Sequence, residues 1–98
     1  MSTQLISKAA VATEKPVPYM RQLCKHFGHK IPAEFGDTTG WIEFSGGRCE
    51  LDADTEGNIL NLTVSAATSE ELEHTRNVVG SHLERFGKRD ELLVHWDQ

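Results

Sequence analysis

The chain has 98 residues, with ten Lys and Arg against fifteen Asp and Glu, and a formal net charge of −5. This length favours one domain over residues 1–98, and the acidic balance repels phosphate backbones, so no nucleic-acid partner is expected. No segment approaches the roughly 18 consecutive apolar residues that span a bilayer and no secretory signal is recognised, which predicts a cytoplasmic protein with unpaired thiols and no membrane partner.

The start of the chain predicts a strand followed by a helix. Alternation of apolar and polar residues over 5–12 is typical of a strand. Thr13 is predicted to cap the helix, and Pro16 and Pro18 fall in or near its first turn. Apolar residues recurring every four positions from Tyr19 give the helix one apolar face, and Gly28 ends it.

Four short strands are predicted next, over residues 31–35, 41–44, 48–54 and 60–66, separated by glycine-containing turns. In the third strand, Cys49, Leu51 and Ala53 alternate with charged residues. The fourth alternates in the same way, so one face of the resulting sheet is expected to be buried. The segment 45–47, which contains Gly46 and Gly47, is predicted to be a hairpin turn.

A second helix and a last strand complete the pattern. Thr68 and Glu71 form a capping box, and the helix is predicted to run from there to Phe86, before Gly87. The apolar run 92–96 predicts a final strand. The order β-α-β-β-β-β-α-β favours an α+β fold, with a single antiparallel sheet and two antiparallel helices packed on one face.

Several segments of the chain resemble the bacterial domain of unknown function 2218 family. They are residues 11–14, 23–30, 47–51 and 82–92, together with Trp96. The resemblance implies no chemical role for any residue, and some relatives are associated with iron acquisition. The positions that match the family are Cys24, His26, His29, Lys30, Cys49, His82, Phe86, Arg89 and Trp96.

Basic and imidazole side chains gather near the ends of both predicted helices. His26, His29 and Lys30 lie at the end of the first helix, and His82, Arg85 and Arg89 lie near the end of the second. Either group is suited to a small anionic ligand or a protein partner, although cations in a last helical turn also stabilise the helix dipole. Antiparallel helices are expected to place the two groups at opposite ends of the domain, as separate sites.

His82 falls within the apolar stripe of the second helix, between Val78 and Phe86. The simplest interpretation is a core histidine that bonds a backbone carbonyl or a nearby Thr. The alternative is a partly buried acid, base or ligand at a pocket.

Cys24, His26, Cys49 and His82 supply the thiolate and imidazole ligands that zinc or iron prefers, so a metal-linked protein is the alternative function. No close Cys pair is present, and no cofactor is expected. A Cys49–His82 nucleophilic pair lacks an orienting third residue, so no catalytic residue and no enzymatic activity are expected. The sequence predicts a small binding or interaction module, and leaves open whether it is a monomer or a homodimer.

Overall fold

The computed structural model describes residues 4–97 and contains an antiparallel sheet of five strands in the order β1-β5-β4-β3-β2. Every neighbouring pair of strands is antiparallel. The elements in chain order are β1 (Leu5–Ala12), α1 (Pro16–Gly28), β2 (Ala33–Phe35), β3 (Thr39–Glu43), β4 (Gly47–Asp54), β5 (Ile59–Ala66), α2 (Ser69–Phe86) and a 3₁₀ helix (Lys88–Asp90).

Both helices cover the same face of the sheet. In β1, β4 and β5 only one set of alternating positions is buried, and both helices contact β4 and β5 from that side. The predicted α+β class and sheet are therefore confirmed. The core consists of these inward side chains and the apolar faces of the helices, and its largest fully buried members include Met20, Leu23, Ile42, Leu60, Leu62 and Leu83.

The two helices run in opposite directions, as predicted. Tyr19, near the start of α1, donates a hydrogen bond to Asp90, which lies beyond the end of α2. His26, near the end of α1, contacts His82, which precedes Asp90 in the chain. Moving forward along α1 therefore means moving backward along α2.

The helix starts differ in how closely they follow the prediction. Thr68 accepts a hydrogen bond from the Glu71 backbone N–H at 3.1 Å, which confirms it as the N-cap of α2, and its hydroxyl donates to the Glu71 carboxylate at 3.2 Å. Helix α1 begins at Pro16, and its N-cap residue is Lys15 rather than Thr13. The Thr13 hydroxyl accepts from the Lys15 backbone N–H at 3.0 Å, so it orders the approach to the helix and does not cap it.

The predicted last strand over 92–96 does not form. Leu92 is buried and Val94 and Trp96 are half-buried, while Leu93 and His95 are exposed, so the alternation is real. However, the Val94 backbone N–H donates to the Glu84 carboxylate at 2.9 Å, so this backbone does not pair with a strand there. The segment is instead an irregular strap beside α2.

The strap ends on the free edge of β1. The Asp97 backbone N–H donates to the Lys8 carbonyl at 2.9 Å. The Asp97 carboxylate accepts from the Lys8 N–H at 2.8 Å and from the Ser7 hydroxyl at 3.1 Å. The unpaired N–H and C=O groups of an exposed strand edge can pair with a strand of another chain. These bonds occupy some of those groups on β1.

Candidate functional site

The strongest cluster of functional side chains lies where the end of α1 packs against the second half of α2. The ring centroids of His26 and His82 are 5.1 Å apart. Phe27 lies 4.9 Å from His82, and Phe86 lies 5.4 Å from His26. Phe44, which follows β3, extends the cluster at 5.1 Å from Phe27. Two imidazoles therefore sit among three phenylalanine rings.

This contact shows that the predicted separation of the two basic groups is wrong. The prediction assumed that the end of α1 lies beside the start of α2. Helix α1 has 13 residues and α2 has 18, and α1 lies along the second half of the longer helix. Antiparallel direction does not fix this offset. As a result, His26 meets His82 and Phe86 rather than the first turns of α2.

His82 is held by the backbone of its own helix. Its Nδ1 lies 2.7 Å from the carbonyl oxygen of Val78, one helical turn earlier. A carbonyl oxygen can only accept a hydrogen bond, so Nδ1 carries the hydrogen. In neutral His82 the other ring nitrogen, Nε2, therefore has no hydrogen. Of the two predicted partners, the backbone carbonyl is the one bonded, but the side chain is half-buried and does not belong to the core, so the core position was wrong. The unprotonated ring atom is thus assigned to Nε2.

His26 is exposed, and its surroundings disfavour a positive charge. The pKa of His26 is lowered, first by desolvation and then by the charges of His82, Arg85, His29 and Lys30. All four of these neighbours are basic. We call the group of His26, His29, Lys30, His82 and Arg85 the imidazole surface.

Few carboxylates balance the imidazole surface. Within residues 4–97, the ion pairs join Lys15 to Asp90 and Arg48 to Glu43 and Glu50. None of these pairs includes a member of the imidazole surface. Five of the six predicted binding residues therefore lie together, and few carboxylates neutralise their positive charge.

The sixth predicted binding residue, Arg89, lies elsewhere. It is exposed on the 3₁₀ helix and does not appear among the charges that act on His26. The neighbouring Lys25 is directed elsewhere as well, because its ammonium lies 5.9 Å from the centre of the Phe35 ring. Phe44 was not predicted to belong to the site. Its position two residues after the buried Ile42 was the available signal, since alternate strand residues share a face.

The two thiols lie in the core, whereas His26 is exposed. Both Cys24 and Cys49 are unpaired and buried. Burial raises the pKa of Cys24 to about 11 and raises that of Cys49 further. The Cys49 Sγ contacts the Glu50 carbonyl oxygen at 3.9 Å. In the part of the chain that the structure describes, no three His, Cys, Asp or Glu residues form a group that could hold a metal ion.

We expect both thiols to be inert in the folded protein, because the nucleophile in thiol modification is the thiolate and both pKa values are raised. A maleimide or disulfide reagent at neutral pH should modify neither Cys24 nor Cys49 until the protein unfolds. Mass spectrometry of native and urea-denatured samples measures this. Rapid labelling of native protein at either cysteine would contradict the buried positions.

A concave region lies on the helix-free face of the sheet. It has a volume of about 650 Å³ and is lined by residues of β3, β4 and β5 that include Trp41, Glu50, Asp52 and Thr63. The Arg48 guanidinium lies 4.8 Å from the centre of the Trp41 ring and is paired with Glu43 and Glu50. The lining carries the carboxylates of Glu34, Glu50 and Asp52, and the Arg48 cation is already paired, unlike the imidazole surface.

The profile of a bacterial family, the domain of unknown function 2218, matches residues 8–97. The chain belongs to this family. The 2218 family is described as an uncharacterised protein conserved in bacteria. The fold is similar to the NMR structure of PA4090 from Pseudomonas aeruginosa, with 33% identity, a TM-score of 0.77 and 94% of each chain covered. No curated protein matches the sequence.

Membership of the 2218 family supplies no activity, so the function has to be inferred from the surface itself. No helix within residues 4–97 has the length and apolar character needed to cross a lipid bilayer. The imidazole surface brings the polar side chains of two helices together, with His26 against His82.

Proposed function

We propose that this protein is a small binding module that holds an anionic group, a carboxylate or a phosphate, at the imidazole surface. The observation that carries this is the contact between His26 and His82, from two different helices, among Arg85, His29 and Lys30. Basic groups that approach one another repel, and a bound anion offsets that repulsion. Arginine and imidazolium groups are also strong hydrogen-bond donors to carboxylates and phosphates.

Helix dipoles account for only part of this arrangement. A cation in the last turn of a helix stabilises its negative end, which explains His26 in α1 and Arg85 in α2 separately. The dipoles do not require the two groups to face each other. Their convergence is what favours a ligand over purely structural roles.

The alternative of a zinc- or iron-linked protein is less well supported. His26 and His82 supply two imidazoles, whereas zinc sites in proteins use three or four protein ligands. No third His, Cys, Asp or Glu joins them among residues 4–97. We therefore propose no metal or other cofactor for this surface.

We also propose that the protein works in the cytoplasm. The support for this is the pair of buried thiols, Cys24 and Cys49, which remain unpaired. Thiols persist in a reducing compartment, whereas exported proteins tend to form disulfides.

The proposal predicts saturable binding of sulfate, used as a simple anion. At about pH 6 and constant ionic strength, sulfate should shift the NMR signals of His26, His82 and Arg85, whereas chloride should not. Arg85→Gln should weaken sulfate binding roughly three- to tenfold, since it removes a charged donor. Arg89→Gln is the matched control, because Arg89 lies outside the imidazole surface.

Two outcomes would count against the proposal. One is an absence of saturable shifts at the imidazole surface. The other is an equal loss of affinity in Arg85→Gln and Arg89→Gln, which would indicate general attraction to positive charge rather than a site.

A further inference from the structure

Positive groups act on His26 from α2 and from the residues that follow α1. His82 and Arg85 approach from α2, and His29 and Lys30 follow it at the end of α1. None of the groups that act electrostatically on His26 is a carboxylate. The rings of Phe27 and Phe86 lie against it and limit its hydration. The neutral imidazole is therefore favoured as long as no anion is present.

His82 is poorly placed to donate to an anion while it is neutral. The Val78 carbonyl holds the Nδ1 hydrogen at an N···O distance of 2.7 Å, so Nε2 has no hydrogen to donate. His26, in contrast, forms no hydrogen bond within residues 4–97, so both of its ring nitrogens remain available. His26 can thus accept a proton and present an N–H group at either nitrogen.

We propose that the imidazole surface binds its anion together with a proton, and that His26 is the residue that takes up this proton. This inference rests on the proposed function, because it concerns the same surface. Protonation of His26 adds one positive charge where the anion binds. The anion in turn offsets the positive charges that favour neutral His26. The ligand would be held at mildly acidic pH and released as the pH rises.

The direction of the pH dependence follows from linkage. The anion stabilises protonated His26, so the pKa of His26 is higher in the complex than in the free protein. Affinity is greatest below the pKa of the free protein. It falls as the pH rises between the free and the bound values, and it levels off above the bound value.

Sulfate is the suitable probe because its charge is constant between about pH 5 and pH 8, whereas a phosphate group titrates near pH 6. We expect the dissociation constant for sulfate to rise about tenfold across this range, which corresponds to a shift of about one pKa unit. NMR titration of the His26 ring should also give a higher pKa at saturating sulfate. In His26→Gln the pH dependence should disappear and the binding should be weak throughout.

His74→Gln is the matched control, because His74 is an exposed histidine of the same α2, eight positions before His82, and is not among the groups that act on His26. It should retain the full pH dependence. If wild-type protein binds sulfate equally at both ends of the range, the anion site stands and the proton coupling is overturned. If the dependence survives in His26→Gln and disappears in His82→Gln, the assignment to His26 is overturned. If sulfate does not bind at any pH, the proposed function fails as well.

Discussion

Leu83→Ala should lower the free energy of unfolding by about 2–5 kcal/mol, the usual cost of removing a buried leucine side chain. Leu83 is fully buried on the inner face of α2, where it belongs to the same core as Val79 and Leu62. The substitution removes three carbon atoms and leaves a cavity between the helix and the sheet. Urea denaturation followed by circular dichroism measures the loss.

Leu93→Ala is the matched control for Leu83→Ala. Leu93 lies in the strap after α2 and is 64% exposed, so little apolar area is lost with its side chain. We expect a change within about 0.5 kcal/mol. Similar losses in both variants would mean that α2 does not pack on the sheet through the face that contains Leu83.

The parts of the fold that local sequence determines were predictable. The alternation of Cys49, Leu51 and Ala53 identifies the inner face of β4, and these three side chains are indeed buried. The Thr68 hydroxyl satisfies the Glu71 backbone N–H within one turn, so this cap at the start of α2 needs no distant contact. Signals of this kind need only neighbours along the chain.

The last predicted strand shows where periodicity stops being informative. Alternation over 92–96 reports correctly which side chains turn inward. It carries no information on what the backbone N–H groups bond to. The Val94 amide bonds to the Glu84 carboxylate ten residues earlier, and Asp97 bonds to β1 at the other end of the chain. Pairing partners depend on the tertiary arrangement.

The candidate site was predictable residue by residue but not as a whole. The position of His82 in an apolar stripe predicted its bond to a carbonyl, which the structure confirms. Its contact with His26 depends on how far two antiparallel helices slide past each other. That offset is set by packing on the sheet, and neither helix sequence specifies it alone. The sequence therefore identified most of the site's residues and separated them wrongly.

Gly47 was predicted to lie in the hairpin turn over 45–47, but in the structure it is the first residue of β4. Ser45 and Gly46 form the bend, and the Phe44 N–H donates to the Gly47 carbonyl at 2.8 Å. However, no glycine among the described residues adopts a positive φ, so this turn does not require a left-handed residue. A Cβ at Gly47 would lie 2.6 Å from the Thr75 Oγ1 and 2.9 Å from the Ser65 carbonyl oxygen. Close approach of α2 to the start of β4 is what requires glycine.

Gly47→Ala should therefore destabilise the protein by about 1–3 kcal/mol, the usual cost of forcing an extra carbon into a packed core. Gly36→Ala is the matched control, since its Cβ would meet nothing closer than the Thr39 carbonyl oxygen at 4.0 Å. It should stay within about 0.5 kcal/mol of wild type. Urea denaturation of both variants separates the effect of the clash at Gly47 from the general effect of replacing a glycine with alanine.

A double-mutant cycle with Thr75→Ala tests the cause directly. Thr75→Ala alone should be destabilising, because the hydroxyl is buried and donates to the Glu71 carbonyl at 2.8 Å. With Gly47→Ala it removes the closest clashing atom, so the combined loss should fall short of the sum of the single losses by roughly 1 kcal/mol. The Ser65 carbonyl oxygen remains at 2.9 Å, so recovery should be incomplete. Strictly additive losses would mean that α2 does not approach β4 this closely, and that Gly47 serves the turn after all.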